Sequence, residues 1–277
     1  MKLKPLSPAL GVEIEGLDLA RPLEAATVAA LREAWVAHHL LLLRGQQIDQ
    51  AAQVRFATLF GPVSHRGAYM KEVDASFVSN ARADGILGSG VLHFHSDHTF
   101  FRHPLKAICL NALEVPSSGG DTLFANAMMA HANLPEALKR RIAGLSSLQL
   151  FDYRGDYNRR TLEKDAPPEA PRCWHPLVMA EPASGRPVLF LHMHTTARID
   201  GLTDAEADDL MAELERYIAD PAIGYRHAWR PGDVLLWNNI ALQHARTDFD
   251  PAERRTLRRV PIAVSEAEAR EETAAAA

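Results

Sequence analysis

Two histidines and one aspartate carry the most specific chemistry in the sequence. His95-Ser96-Asp97 sets an imidazole and a carboxylate two residues apart, and His244 follows far along the chain. Residues i and i+2 of a strand point to the same face, so His95 and Asp97 can reach one ion if they lie at a strand end. Two histidines and a carboxylate bind a metal on one face and leave the opposite face open, as in non-haem iron oxygenases. We therefore expect an iron site built from these three side chains.

The histidine pattern alone leaves other interpretations open. His93 and His95 form a second i, i+2 pair, which is typical of some all-histidine metal sites. The chain has 13 His and 17 Asp, so about one His-x-Asp sequence is expected by chance. His95 could be a surface residue and His244 a capping residue. We prefer His95 with Asp97, because a carboxylate suits Fe(II) in an oxygenase and because an arginine follows downstream.

Arginines follow the second histidine at a spacing that suggests anion binding. Arg255 lies eleven residues after His244. Its guanidinium matches a carboxylate with two parallel hydrogen bonds and keeps its charge, so we expect a co-substrate that bears a carboxylate. Arg259 points to the same side of a strand roughly 13 Å away, where it could bind an anionic substrate. Arg254, Arg258 and Arg259 could instead form a solvated basic stripe.

Composition limits the class of protein. The chain has 277 residues, 47% hydrophobic residues and a formal net charge of −5, which suits one large β-rich domain or two small ones. It has no basic stretch for nucleic acid or an anionic membrane, no apolar run that could span a bilayer and no signal-peptide core. Cys109 and Cys173 lack metal-site spacing and are expected to be reduced thiols. We predict a cytoplasmic protein with no nucleic-acid or membrane partner.

Strands and amphipathic helices must position the chemical residues. Apolar periodicity predicts helices over 23–38, 50–60 and 135–144. Thr203-x-x-Glu206 is a capping box that opens a further helix through Ile218. Predicted strands cover 11–19, 39–43, 77–79, 106–113, 223–229, 233–237 and 256–264.

Three segments are predicted to be irregular. Residues 81–92 are rich in glycine and form a loop. Residues 152–172 are rich in charge and proline and are expected to form a lid or a flexible loop. The tail 266–277 is acidic and then polyalanine, which predicts disorder. Because no linker is evident elsewhere, we expect residues 1–265 to form a single domain.

Four motifs occur in order along the chain, and the last runs into His244. They are His39-Leu40-Leu41-Leu42-Leu43-Arg44-Gly45-Gln46, Phe94-His95-Ser96-Asp97-His98-Thr99-Phe100, Gly119-Gly120-Asp121-Thr122-Leu123-Phe124-Ala125-Asn126 and Gly232-Asp233-Val234-Leu235-Leu236-Trp237-Asn238-Asn239. The pattern closes with Arg254-Arg255. With these motifs the chain, from about Leu10 to Val264, resembles the TauD/TfdA (taurine dioxygenase) family of Fe(II)- and 2-oxoglutarate-dependent dioxygenases.

The resemblance implies a fold and a reaction. The fold would be α+β but mainly β, with a double-stranded β-helix (jelly-roll) core and flanking helices. The enzyme would use Fe(II), 2-oxoglutarate and O2 to hydroxylate a small, anionic organic substrate, such as a sulfonate or an aryloxy acid, and would release succinate and CO2. Homo-oligomers are common in the family.

The resemblance also implies roles for individual residues. His95, Asp97 and His244 look like the iron ligands, while Thr122 and Arg255 look like the residues that bind 2-oxoglutarate. The residues by themselves would make Thr122 an ordinary turn residue after two glycines and an aspartate. No catalytic residue is expected beyond the metal centre.

Four residues are candidates for substrate contacts: Arg259, Tyr69, His93 and His192. In taurine-specific members of the family, an arginine at the place of Arg259 grips the sulfonate. Each of the two histidines could instead be a strand-face or surface residue.

The chain departs from the family pattern near the ligands. Phe94 stands in place of a tryptophan, Asn238 in place of the aspartate of Trp-Asp-Asn, and His192 in place of an asparagine. These changes leave the ligand set intact and alter its surroundings, so they bear on substrate identity, which stays open.

Two other functions remain compatible with the residues. A zinc-dependent hydrolase on a jelly-roll could use the same three ligands with an activated water, but it would not need Arg255 or Thr122. A jelly-roll that binds a small molecule without catalysis is the second alternative, although the complete ligand set argues against it.

Overall fold

β-Strands dominate the structure, a computed structural model that describes residues 1–66, 74–152 and 159–269. The strands are β1 Lys2–Pro5, β2 Val12–Glu15, β3 Leu40–Leu43, β4 Ser76–Ser79, β5 Gly85–Ile86, β6 Leu92–His95, β7 Ala107–Glu114, β8 Thr122–Asn126, β9 Ser146–Leu150, β10 Arg172–Pro176, β11 Val178–Ala180, β12 Pro187–Leu189, β13 Thr196–Ile199, β14 Gly224–His227, β15 Val234–Asn238, β16 Leu242–Arg246 and β17 Thr256–Ile262. The helices are α1 Ala25–His38, α2 Gln50–Ala57, α3 Ala127–Ala132, α4 Glu136–Ile142, α5 Asp204–Ile218 and α6 Glu266–Ala269. The predicted mixed but mainly β character is confirmed.

Two sheets carry the candidate site. The larger sheet has eight strands in the order β1-β2-β3-β15-β7-β17-β4-β5, and the second has four antiparallel strands in the order β14-β8-β16-β6. A three-stranded sheet, β10-β9-β13, and the hairpin β11-β12 complete the β structure of the described residues.

The four leucines of β3 show how the sequence builds two cores. Alternate residues of a strand point to opposite faces. Leu40 and Leu42 join a cluster that includes Phe124 of the second sheet, whereas Leu41 and Leu43 join a cluster with Leu31 of α1 and other helical residues. The central strand is therefore apolar on both faces, because one face meets the other sheet and the opposite face meets the helices.

Helix α5 begins where the capping box predicts. Thr203 Oγ1 accepts a hydrogen bond from the Glu206 backbone, and the Glu206 carboxylate accepts one from Thr203 N at 2.9 Å. The buried side of this helix packs into a third core cluster through residues at helical spacing, which are Ala207, Leu210, Met211, Leu214 and Ile218.

Strand β16 corrects one detail of the sequence prediction. No strand was predicted over Leu242–Arg246, but His244 lies in the middle of this strand, directly opposite His95 of β6 and Phe124 of β8. The antiparallel register thus fixes the distance between the two histidines, since both backbones belong to one ladder.

The chain near residue 266 differs from the predicted disordered tail. Residues Glu266–Ala269 form the short helix α6, with Ala269 buried and its carbonyl oxygen accepting a hydrogen bond from His65 N at 2.9 Å. The prediction of disorder is wrong for these four residues because their backbone is paired, and residues 270–277 lie outside the described part.

The predicted loop 152–172 is only partly described. A 3-10 turn covers Glu163–Asp165, strand β10 begins at Arg172, and residues 153–158 lie outside the described residues. None of the helices in the described part of the chain is long and apolar enough to cross a bilayer.

Candidate metal centre and adjoining cavities

Three side chains converge where β6 and β16 lie side by side. His95 is the last residue of β6, Asp97 lies in the turn that follows, and His244 comes from β16. The Asp97 Oδ1 atom is 3.4 Å from His95 Nε2 and 3.7 Å from His244 Nε2. One donor atom from each of the three residues lies within 4.8 Å of the others. The spacing suits three ligands on one face of a metal ion.

Hydrogen bonding and burial prepare the two imidazoles for a cation. His95 Nδ1 is 2.7 Å from the His93 carbonyl oxygen, which can only accept, so Nδ1 carries the proton and Nε2 keeps its lone pair for a metal. Burial and the nearby His95 ring lower the pKa of His244 to about 3. His244 is therefore neutral at physiological pH, as a metal ligand must be.

The two oxygens of Asp97 have different partners. Oδ1 faces the imidazoles, whereas Oδ2 accepts a hydrogen bond from Arg259 Nη2 at 2.6 Å. Burial by itself would raise the pKa of Asp97, but the Arg259 charge and the two imidazoles lower it well below its usual value. The carboxylate is thus ionised and oriented, with one oxygen left for a metal.

Two side chains from other strands and loops hold the backbone of the ligand turn. Asn239 Oδ1 accepts a hydrogen bond from Asp97 N at 2.8 Å, and Asn239 Nδ2 donates to Asp97 O at 3.0 Å. His192 Nδ1 accepts a hydrogen bond from Ser96 N at 3.2 Å. These bonds fix the backbone of the turn between His95 and Asp97. They are needed because Asp97 lies beyond the end of β6, where strand pairing no longer holds the chain.

Thr122 and Arg255 line a cavity of about 50 Å³ that also contains all three candidate ligands. Arg255 is buried, and its Nε donates to Gly120 O at 3.0 Å. Its guanidinium forms no ion pair with a carboxylate of the described residues. Burial and the neighbouring Arg246 charge lower the pKa of Arg255 to about 9, which leaves the group charged. A buried, charged guanidinium beside three metal-type ligands fits a chelating co-substrate with a distal carboxylate.

A second cavity of about 200 Å³ adjoins the first and shares His95, Asp97 and Arg259 with it. Its lining includes His95, Asp97, His194 and Arg259. Its other walls are largely apolar and aromatic, formed by Ile86, Leu87, Leu92, Phe100 and Phe151. The rings of Phe100 and Phe151 are stacked with centroids 4.9 Å apart. The cavity is therefore a largely apolar chamber whose lining includes one arginine, Arg259.

Two of the predicted substrate residues, His93 and His192, do not line this chamber. The His93 side chain is exposed and lines a separate hollow with Arg160 and Asp208. His192 is fully buried behind Ser96 and lines neither cavity near the ligands, so it supports the ligand turn instead. Tyr69 lies outside the described residues.

Asn238, where the family has an aspartate, faces a buried carboxylate. Its Nδ2 donates to Glu181 Oε1 at 3.0 Å, and its Oδ1 accepts from Ile240 N and Ala241 N, each at 3.0 Å. An aspartate at 238 would place a second carboxylate next to that of Glu181, which is 2% exposed. The asparagine therefore keeps the turn before His244 closed without a charge conflict.

Several residues around the site were not found by sequence reasoning. Asn239 belongs to one of the four motifs, but the motif does not predict its hydrogen bonds to Asp97. Ile86 of β5 and the adjacent Leu87 are apolar and carry no chemical signature. Arg246 lies two residues after His244, and that spacing on one strand was the available signal for its place in the small cavity.

Comparisons with known proteins identify the class. Residues 2–260 match the family model described as "Taurine catabolism dioxygenase TauD, TfdA family". A Pseudomonas putida α-ketoglutarate-dependent sulfate ester dioxygenase is 32% identical over 95% of this chain and 89% of its own length. A 2,4-dichlorophenoxyacetate dioxygenase of Cupriavidus pinatubonensis is 31% identical over 92% of this chain and 95% of its own length.

The solved structures agree. AAD-2, in a crystal structure with Mn(II) and N-oxalylglycine, superposes with a TM-score of 0.81 at 26% identity and covers 96% of this chain and 98% of its own. A structure titled as a putative α-ketoglutarate-dependent taurine dioxygenase from Burkholderia xenovorans gives a TM-score of 0.79 at 25% identity, covering 94% and 92% of the two chains.

The fold and the ligand cluster thus define a 2-oxoglutarate-dependent, non-haem iron oxygenase. The chain belongs to the TauD/TfdA family of dioxygenases. It is an oxidoreductase that uses Fe(II), 2-oxoglutarate and O2, so the zinc-hydrolase and non-catalytic alternatives are not retained.

Proposed function

We propose that the enzyme hydroxylates a small anionic molecule with an apolar body, of the sulfate-ester, sulfonate or aryloxy-acid type. The observation that carries this proposal is a pair of adjoining cavities that share His95, Asp97 and Arg259. The smaller cavity, of about 50 Å³, is also lined by Thr122 and Arg255, whereas the larger one, of about 200 Å³, is also lined by the aromatic rings of Phe100 and Phe151.

We assign the residues of the small cavity to iron and co-substrate. His95, Asp97 and His244 hold Fe(II), and Thr122 and Arg255 bind the distal carboxylate of 2-oxoglutarate. When bound, the iron supplies the oxygen chemistry that converts 2-oxoglutarate and O2 into succinate and CO2 while one oxygen atom enters a substrate C–H bond.

The charges around the cavities favour an anionic substrate. Three arginines, Arg246, Arg255 and Arg259, and one aspartate, Asp97, are the Arg, Lys, Asp and Glu side chains in the described lining of the two cavities. That lining therefore has an excess of two positive charges. A dianionic co-substrate would balance that excess, and Fe(II) would then return the site to a net charge of +2. A monoanionic substrate near Arg259 would lower that remaining charge from +2 to +1, so the site favours an anion over a neutral molecule.

The apolar walls set the remaining properties of the substrate. Ile86, Leu87, Phe100 and Phe151 can bury an alkyl or aryl group and exclude water from the reacting carbon. The relatives whose names specify a sulfate ester and a phenoxy acid act on molecules of this shape. If the hydroxylated carbon bears the ester or ether oxygen, the product collapses to a carbonyl compound and releases sulfate or a phenol.

Paired substrates test this assignment. The anaerobic protein is first mixed with Fe(II) and 2-oxoglutarate, which should give a weak visible band near roughly 520 nm. Succinate formation is then compared between n-octyl sulfate and n-octanol, and between phenoxyacetate and phenoxyethanol. We expect the anion of at least one pair to be preferred about 10-fold or more, and Arg259→Met should remove that preference. Equal rates for anion and alcohol would contradict the proposal.

We also propose that the eight- and four-stranded sheets form the double-stranded β-helix of the family, within a single domain covering 1–265. Phe124 of the second sheet packs in the same cluster as Leu40 and Leu42 of the first, which supports two facing sheets. Cytoplasmic location and homo-oligomer formation are further expectations, and light scattering of the purified chain measures the second.

A further inference from the structure

Trp229 donates a hydrogen bond to the side-chain hydroxyl of Thr122. The indole Nε1 of Trp229 is 2.9 Å from Thr122 Oγ1. Trp229 is buried, belongs to the core cluster between the sheets and does not line the small cavity, whereas Thr122 does. The tryptophan therefore lies directly behind the residue that we assign to the 2-oxoglutarate carboxylate.

The chemistry of the two groups gives the bond a direction. An indole N–H can only donate, and a hydroxyl has one hydrogen and two lone pairs. Trp229 occupies a lone pair of Thr122, so the hydroxyl hydrogen remains for another acceptor. No acceptor for that hydrogen is recorded among the described residues. The hydroxyl of Thr122 is therefore available as a donor at the wall of the cavity that also contains Arg255.

The surroundings of Trp229 keep the indole in place. The His227 ring packs edge-on against the indole with centroids 4.5 Å apart. The chain then turns, with Asp233 N donating to Arg230 O at 3.0 Å and Arg230 N donating to Asp233 Oδ2 at 2.9 Å. Arg44 Nη1 binds the same Asp233 oxygen at 2.7 Å. A buried aromatic pair and a closed turn leave the indole little freedom to leave Thr122.

We infer that Trp229 is a positioning residue for 2-oxoglutarate, because it presents the Thr122 hydroxyl as a hydrogen-bond donor to the distal carboxylate. Arg255 supplies the charge for that carboxylate, and the Trp229–Thr122 pair supplies a second, directional donor. This inference rests on the proposed roles of Thr122 and Arg255.

The test measures 2-oxoglutarate affinity, which requires no primary substrate. Full-length wild type and Trp229→Phe are titrated with 2-oxoglutarate in the presence of Fe(II) without oxygen, and Kd is read from the visible band. Trp229→Phe keeps an aromatic ring but removes the donor, and we expect Kd to rise about 3- to 10-fold. Trp35→Phe is the matched control, because the buried indole nitrogen of Trp35 has no hydrogen-bond partner among the described residues. The Kd of this variant for 2-oxoglutarate should stay at the wild-type value.

A double-mutant cycle separates positioning from packing. Thr122→Val should raise Kd at least as much as Trp229→Phe, and Trp229→Phe should add no further loss in the Thr122→Val background. Losses that simply add would show that Trp229 acts through the core and would overturn the inference. Unchanged affinity in Trp229→Phe would overturn it while leaving the proposed function intact. A wild type that gives no band with Fe(II) and 2-oxoglutarate would overturn the proposed function and this inference together.

If Trp229→Phe does not fold, a measurement on protein that retains Trp229 still tests the inference. In the ¹⁵N-labelled protein with Zn(II) in place of iron, the Trp229 indole N–H resonance should move when 2-oxoglutarate binds. The same resonance should not respond in Thr122→Val. An indole signal that responds equally in both proteins would overturn the inference.

Discussion

The proposed co-substrate end and the proposed substrate end of the site share His95, Asp97 and Arg259, but most of their other residues come from different parts of the chain. The co-substrate end uses strand residues, with Thr122 on β8, His244 on β16 and Arg255 next to β17. The substrate end uses the loop after β5 and the turn after β6, together with Phe151 after β9. Residues on paired strands are fixed by register, whereas loop residues depend on individual tethers. Under the proposed assignment, the reaction is anchored on paired strands, and specificity is set by the side that can change with few substitutions.

The largest expected effect is on the metal cluster that both ends share. Asp97→Ala removes one of three ligands and the partner of Arg259, so turnover should fall on the order of 10³-fold or more. Iron content after anaerobic loading and gel filtration measures the cause directly. His93→Ala is the matched control, because the His93 side chain is exposed, and only its backbone oxygen holds His95. Normal iron content in Asp97→Ala would rule out this ligand assignment.

The next effect should be confined to the co-substrate end. Arg255→Met removes two charge-assisted hydrogen bonds, so the Kd for 2-oxoglutarate should rise on the order of 10²-fold. Affinity for the primary substrate, measured with saturating 2-oxoglutarate, should change much less. The neighbouring Arg254 pairs with Glu114 on the surface, and Arg254→Met should leave both constants unchanged. Equal losses for both ligands in Arg255→Met would break the division between the two ends.

A smaller effect should appear at the substrate end when its loop loses a tether. The buried Arg246 donates to the carbonyl oxygens of Leu87 and Gly90, each at 2.8 Å, and of Gly88 at 3.0 Å. Leu87 lines the apolar chamber and has a φ of 57°, a backbone angle that such a residue rarely adopts without support.

Arg246→Met should therefore raise KM for the substrate about 10-fold. Because Arg246 also lines the small cavity, the Kd for 2-oxoglutarate should rise as well, but by a smaller factor than KM. Discrimination between short and long alkyl sulfates should also weaken, because the loop would no longer hold one shape. Arg246→Lys can reach fewer carbonyl oxygens, so its KM should lie between those of wild type and Arg246→Met. A larger loss for 2-oxoglutarate than for substrate would assign Arg246 to the co-substrate end instead.

The smallest effect concerns pH. His175 is buried, and its Nε2 lies 2.9 Å from Phe101 O. Burial lowers the pKa of His175 below its ordinary value. As the pH falls below about 6.5, the unfolded chain binds a proton that the folded protein does not, so folding stability decreases on acidification.

His175→Gln removes this contribution. In metal-free protein, the free energy of unfolding from urea titrations at pH 7.5 and 5.5 should fall less for the variant than for wild type, by up to about 1 kcal/mol. Other buried histidines, such as His98, whose pKa is lowered to about 3 by burial and by Arg259, keep part of the pH dependence in both proteins. If wild type and His175→Gln lost the same free energy of unfolding between pH 7.5 and pH 5.5, the result would contradict the expectation for His175.

The sequence by itself determined the ligand types, their order along the chain and several elements. The capping box at Thr203 and Glu206 needs only local contacts, and the apolar run Leu40–Leu43 identifies a strand buried on both faces. The ligand motif and the arginine eleven residues after His244 identified a reaction class, which the comparisons confirmed. These features depend on residue type and short spacing, both of which can be read along the chain.

Only the tertiary structure decided how the site is divided and supported. The pairing of His95 with His244, the clamp of Asn239 on Asp97, and the contact of Trp229 with Thr122 join residues that are at least 107 positions apart. His192 was assigned to the substrate from its place in a motif, but packing sets it behind the ligand turn. Register and side-chain packing are properties of which strands become neighbours, and no local pattern in the sequence contains that information.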